Sequence, residues 1–154
     1  IYAVLYSNIY RENYQEFLKI DFPRIPFTKN LELFSSLSIL GEQLVNLHLL
    51  KSSLLNNPVA KFDGTGESKV EKIEYKEGRI YINPIQYFHP VTENIYNYYI
   101  GGYQVLNKWL KDRKGRILSS EEIKHYCHII TSLHWTLDIQ ERIDKLYLQV
   151  EKNI

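Results

Sequence analysis

The chain has 154 residues, 44% hydrophobic and 24% charged. That is a globular composition, long enough to bury a sizeable core and unlike a collagen-like, disulfide-scaffold or disordered chain. Nineteen Lys+Arg against eighteen Asp+Glu give a formal net charge of +1, so a charged partner must be held by a local patch and not by a global field.

The single cysteine, Cys127, excludes an intrachain disulfide and a multi-cysteine zinc site, which fits a reducing, cytoplasmic setting. No apolar run reaches the roughly 18 residues of a membrane span, and no signal-peptide pattern opens the chain. It begins inside an apolar run, Ile1-Tyr2-Ala3-Val4, and contains no methionine, as expected of a piece of a longer protein. Thirteen tyrosines suit interfaces and half-buried sheet faces alike.

Residues 1–55 read as helical, broken by a strap at 19–27. Ser7 is placed to cap a second helix at a joint after residue 6, with Tyr10, Tyr14 and Phe17 on its apolar stripe. Pro23 and Pro26 force extended geometry on the strap. A long helix then runs from a cap at Thr28 or Asn30 to about residue 55. Its leucines at 33, 37, 40, 44, 47 and 54 are either a coiled-coil-like seam or one buried face.

Residues 56–118 read as a β-containing insert. Asn56-Asn57-Pro58 ends the helix, and Asp63-Gly64-Thr65-Gly66 is a loop. Lys69–Tyr75 and Arg79–Asn83 form a hairpin around Lys76-Glu77-Gly78. A short helix follows near Thr92–Tyr98, then a short strand reaching Gly101, Gly102 and Tyr103, where adjacent glycines permit close backbone approach or simply a bend. Gln104–Lys111 is a short helix ending in the basic turn 112–116. Residues 119–154 form one long helix, opened by the capping-box spacing of Ser119 and Glu122. The fold class is α+β: long helices bracketing a small antiparallel insert, within a single domain.

Signatures of catalysis are missing: no phosphate-binding loop, dinucleotide fingerprint, nucleophile elbow or HExxH. The GxG at 64–66 is too short to carry phosphate. Asn83-Pro84-Ile85-Gln86-Tyr87 lacks the second proline and the aromatic spacing of the base-binding motif of amino-methyltransferases. His125, His128 and His134 do not converge on one helix face, so no metal site is expected. Cys127 reads as a small buried hydrophobe.

The feature above background is basic. Lys108, Lys111, Arg113, Lys114 and Arg116 against Asp112 put +4 into residues 108–116. Such a cluster suits phosphate contact, and equally a solvated turn at a helix C-terminus. Lys69, Lys72, Arg79, Asn83 and Gln86 on the hairpin and its loops offer donors matched to purine edges.

The segments "YAVLYSNIYRENYQEFLKIDFPRIPF", "RIYINPIQYF" and "YYIGGYQVLNKWLKDRKGRILSSEEIKHY" resemble the C-terminal target-recognition region of type ISP restriction–modification enzymes. The likeness runs in order over nearly the whole chain and is sharpest in the strap and the GGYQVL block. It implies the C-terminal part of a single-chain nuclease, translocase and adenine methyltransferase of bacterial defence. It further implies a non-catalytic domain whose partners are double-stranded DNA and the methyltransferase domain of the same polypeptide. S-adenosylmethionine, ATP and Mg would serve other domains, and none is expected here. The competing reading is a docking or oligomerisation module that packs on the methyltransferase without touching DNA.

Overall fold

Short polar side chains start the principal helices. Ser7 separates α1 (Tyr2–Tyr6) from α2 (Asn8–Asn13), and its Oγ accepts from the Tyr10 amide at 3.2 Å. The same hydroxyl donates to Asp144 at 2.8 Å, and Asp144 also accepts from the backbone and side-chain amides of Asn8. A further break at Tyr14 leaves a one-turn α3 (Gln15–Leu18). Asn30 caps α4 (Leu31–His48) by accepting from the Leu33 amide at 3.1 Å.

The computed structural model describes all 154 residues. Its contacts divide the chain into two compact units, residues 1–52 with 135–154, and residues 53–134. Helix α7 (Ser120–Val150) supplies residues to both.

In the helical unit, Leu33, Leu37, Leu40, Leu44 and Leu47 are all buried and form one buried face of the helix, whereas Leu54, expected to continue the series, lies beyond the helix and is 40% exposed. Helix α1 crosses α4 at Gly41, where a Cβ would stand 3.2 Å from the Ala3 nitrogen. The strap from 19 to 27 holds no regular structure. Tyr10 anchors it by donating to the Arg24 carbonyl at 3.0 Å, while Ile20 and Phe22 stay exposed.

Helix α4 stops at His48, seven residues short of the expected end. Leu50 adopts φ +55, its amide bonds to Leu47 O and the Lys51 amide to Asn46 O. That is the Schellman pattern, closed by leucine where glycine is usual. Ser53–Asn56 forms a separate 3-10 turn.

The second unit carries a four-stranded antiparallel sheet in the order β1-β4-β3-β2, made of β1 (Lys61–Asp63), β2 (Glu74–Lys76), β3 (Arg79–Tyr81) and β4 (Tyr87–His89). The hairpin stands between β2 and β3, with Glu77 and Gly78 at φ +51 and +75 in a two-residue turn. Strand β2 is shorter than the Lys69–Tyr75 span expected of it. Residues 68–72 form no regular strand; Ser68 takes φ +62, and the segment is bonded to residues 115–118 on one side and to the Ile82 carbonyl on the other. Strands β1 and β4 had no signal in the sequence. They pair Phe62 with Phe88 across 26 positions, and no alternating run marks either one.

Ile80 and Phe88 point to the buried side, where the Phe88 ring lies 4.4 Å from that of Tyr126 on α7. The remaining elements are α5 (Glu93–Tyr96), a tiny hairpin of β5 (Tyr99–Ile100) and β6 (Tyr103–Gln104), and α6 (Val105–Lys111). The expected capping box opens α7: Ser119 Oγ accepts from the Glu122 amide at 3.1 Å, and Glu122 accepts from the Ser119 amide at 3.3 Å. The architecture is α+β, as expected.

Candidate nucleic-acid interface

The basic turn is an ordered structure, not a loose loop. Helix α6 ends at Lys111, and Gly115 at φ +85 lets the chain double back so that its amide reaches the Val70 carbonyl at 2.7 Å. The Val70 amide returns a bond to Arg116 O, and Lys69 bridges Ile117. Lys69, which the sequence placed with the hairpin, is thereby brought beside the turn.

The five cations differ in how they are held. The Arg113 guanidinium lies 3.7 Å from the Trp109 ring centroid, donates to Trp109 O at 2.9 Å and meets Glu122 at 3.2 Å. Arg116 reaches the same carboxylate at 3.3 Å while 59% exposed. Lys108 pairs with Asp112 at 2.6 Å. Lys111 and Lys114 are exposed and have no acidic partner. Glu122 brings the turn from +4 to +3. Its carboxyl is held below the usual range, first by the Ser119 amide and then by Arg116 and Arg113.

The predicted donors on the hairpin and its loops divide sharply. Lys69, Lys72 and Arg79 are exposed. Arg79 is held in position, 4.4 Å from the Tyr87 ring centroid and 3.3 Å from the Tyr81 hydroxyl. Asn83 and Gln86, by contrast, are buried at 8% and 2% exposure. Asn83 Nδ2 donates to Lys69 O and to Gln86 Oε1, and its Oδ1 accepts from the Ile85 and Gln86 amides. Gln86 Oε1 also takes the Ser68 amide at 2.7 Å. These amides hold the loop together, because buried polar groups must be paired.

Glycines allow that packing. A Cβ on Gly64 would sit 2.1 Å from Ile85 O, and one on Gly66 2.8 Å from Gln86 Oε1. The GxG at 64–66, legible in the sequence only as a loop, is therefore a close approach between two loops. Gly101 and Gly102 are the reverse case. They form the β5–β6 turn, and a Cβ on either would meet nothing within 4 Å, so within the chain they approach no neighbour. Tyr103 beside them is 62% exposed.

Elsewhere, chemistry is sparse. No group of three or more His, Cys, Asp or Glu is placed to hold a metal, and no helix is long and apolar enough to cross a membrane. Burial pushes the Cys127 thiol up to about 11, which keeps it protonated and unreactive. Burial likewise lowers His48 and His128.

A family model described as the type ISP C-terminal specificity domain matches residues 1–142. Three solved structures share the fold. The nuclease-deletion mutant of the type ISP restriction–modification enzyme LlaGI, in complex with a DNA substrate mimic, aligns over 92% of this chain and 13% of its own at TM-score 0.65 and 22% identity. The ATP-dependent type ISP enzyme LlaBIII bound to DNA aligns over 92% and 10% at 0.67 and 19%. The DrdV–DNA complex aligns over 94% and 17% at 0.64 and 18%. The chain thus spans about a sixth or less of each. No curated protein sequence matches it.

Proposed function

Since the chain belongs to the type ISP C-terminal specificity domain family, we propose that it is a non-catalytic target-recognition domain that holds duplex DNA for methylation and cleavage by other parts of its polypeptide. The observation that carries this reading is the ordered basic turn: two unpaired lysines, Lys111 and Lys114, on a backbone fixed by Gly115 and Arg116. Cations without an internal partner are free to displace the counterions condensed on phosphates. Arg116 joins them as a half-committed third, while Arg113 and Lys108 mainly shape the turn. Base-edge contacts belong to Lys69, Lys72 and Arg79, which are exposed, and not to Asn83 and Gln86.

Partners in this reading are double-stranded DNA and the methyltransferase domain of the same chain. In this reading S-adenosylmethionine, ATP and Mg serve other parts of the polypeptide. A second reading has one observation in its favour. Ile20, Phe22, Phe27 and Leu31 are 60–87% exposed along the strap and its exit, an apolar stretch suited to docking on another domain. An apolar strap that docks on another domain is compatible with DNA held at the basic turn, whereas the docking reading in its strict form excludes DNA from the chain.

Fluorescence anisotropy of a labelled duplex, titrated with the chain from about 50 to 200 mM salt, tests the proposal. Binding weakens with salt, and Lys111→Ala with Lys114→Ala reduces the log–log slope by about 1.8, which is about 0.9 for each phosphate left without its lysine. An unchanged slope removes the basic turn from the interface.

A further inference from the structure

The Tyr99–Gln104 hairpin is too short to bury the side chains at its tip. Ile100 pairs directly with Tyr103 across the ladder, so the two share one face. Gln104 turns its amide back to the Tyr96 carbonyl, which ties the base of the hairpin to α5. The tip stays open: Tyr99, Ile100 and Tyr103 are 57%, 44% and 62% exposed. Gly101 at φ +60 makes a turn that nothing else in the chain approaches.

Apolar groups presented this way mark a contact surface, and the surrounding charge identifies the partner. From residue 94 to residue 111 there is no carboxylate at all. Lys108 extends its ammonium to 5.5 Å from the Tyr103 ring centroid, and the unpaired Lys111 follows one turn later on α6. An acid-free apolar tip joined to a basic helix complements a polymer with anions outside and flat apolar faces inside. Duplex DNA has that layout, and apolar wedges are known to open its base steps.

We infer that the β5–β6 tip is a wedge that inserts Ile100 and Tyr103 against the bases of bound duplex DNA, partly unstacking one base step. The inference rests on the DNA-binding reading above and adds a distortion to it. Lys111 and Lys114, the two lysines of α6 and the basic turn without an acidic partner, hold the phosphates flanking the opened step, and the glycine turn keeps the tip narrow enough to enter a groove.

The test compares binding of the full chain to two labelled duplexes of one sequence, one intact and one with a single central abasic site. A wedge must unstack the intact duplex but finds the lesion already open. The abasic duplex is therefore bound about tenfold tighter, corresponding to about 1.4 kcal/mol of unstacking cost removed. The Ile100→Ser, Tyr103→Ser variant loses that preference while keeping the salt slope of the unmodified chain. Both positions are exposed, so an unchanged melting curve confirms that the variant is folded, and Ile100→Leu retains the preference.

Equal affinity for the two duplexes, with binding still dependent on salt, overturns the wedge and leaves the DNA reading standing. A preference that survives in the double variant overturns it too. Absence of salt-dependent binding to either duplex overturns both.

Discussion

In the proposed interface, Glu122 stands where folding and DNA binding pull in opposite directions, and Glu122→Gln separates them. Its carboxylate closes the capping box of α7 and draws in Arg113 at 3.2 Å and Arg116 at 3.3 Å. Glutamine keeps an acceptor for the Ser119 amide, so the box survives in its Gln form. What disappears is charge. Two ion pairs with a carboxylate that is 25% exposed contribute about 0.5 kcal/mol together after solvent screening. A negative charge in the first turn of a helix adds about another 0.5 kcal/mol. The variant is therefore less stable by about 1 kcal/mol, a fall in Tm of about 2–4 °C for a chain of this size. Its affinity for duplex DNA moves the other way. The turn goes from +3 to +4; Arg113 stays on Trp109, and the released Arg116 guanidinium steepens the log–log salt slope by up to about 0.9. Urea unfolding reads the first effect, and anisotropy between about 50 and 200 mM salt reads the second. Weaker DNA binding at every salt concentration refutes the reasoning, because Glu122 would then be aligning the arginines for DNA and not competing with it.

Gly64→Ala places a methyl 2.1 Å from Ile85 O at φ +96, and is expected to destabilise by about 2–4 kcal/mol from conformational strain and overpacking, measured by urea denaturation. His48, hydrogen-bonded to Tyr2 and Thr136, has its pKa lowered by burial and then by Arg11, and His128 is lowered by burial and then by Lys124 and His125. Both are more readily protonated in the unfolded chain, so the stability they contribute is complete above about pH 6.5 and is lost as pH falls through their folded values. Replacing both by Gln flattens the fall in unfolding free energy between about pH 7 and pH 5, and an unaltered curve argues against the assignment. Cys127, buried and raised to about 11, reacts slowly with a thiol reagent at about pH 8 in the native chain and quickly in denaturant. Equal rates in the two conditions contradict its burial.

What the sequence disclosed was governed by local chemistry. Ser7, Asn30 and the Ser119–Glu122 pair announce helix starts because a side-chain oxygen satisfies amides only a few residues away. The end of α4 was illegible because Leu50 occupies the left-handed position that glycine ordinarily signals. Strands β1 and β4 are three residues long and are stabilised by pairing with each other and with β3, so no window of sequence contains their cause. At the candidate site, the cluster of cations was visible by counting. Which of them are free was not, because Arg113 and Arg116 are drawn in by a glutamate six to nine residues away across a turn. The burial of Asn83 and Gln86 was hidden for a related reason: an amide suited to a purine edge is equally suited to a backbone that comes within 3 Å.

If Lys69, Lys72 and Arg79 read bases as proposed, that amide pair bears on how the domain can acquire new specificities. Asn83 and Gln86 tie together the loop at 83–86, the Ser68 amide and the Lys69 carbonyl using only bonds internal to the scaffold. The exposed side chains carried by that framework, Lys69, Lys72 and Arg79, contribute none of those bonds. Exchanging exposed residues of this kind typically shifts stability by no more than about 0.5 kcal/mol. Selection, or a protein engineer, can therefore sample many residues at the three positions without unfolding what supports them. Altering either amide instead disturbs the whole loop, so diversity at this site is expected to gather on the charged side chains and to spare the pair beneath them.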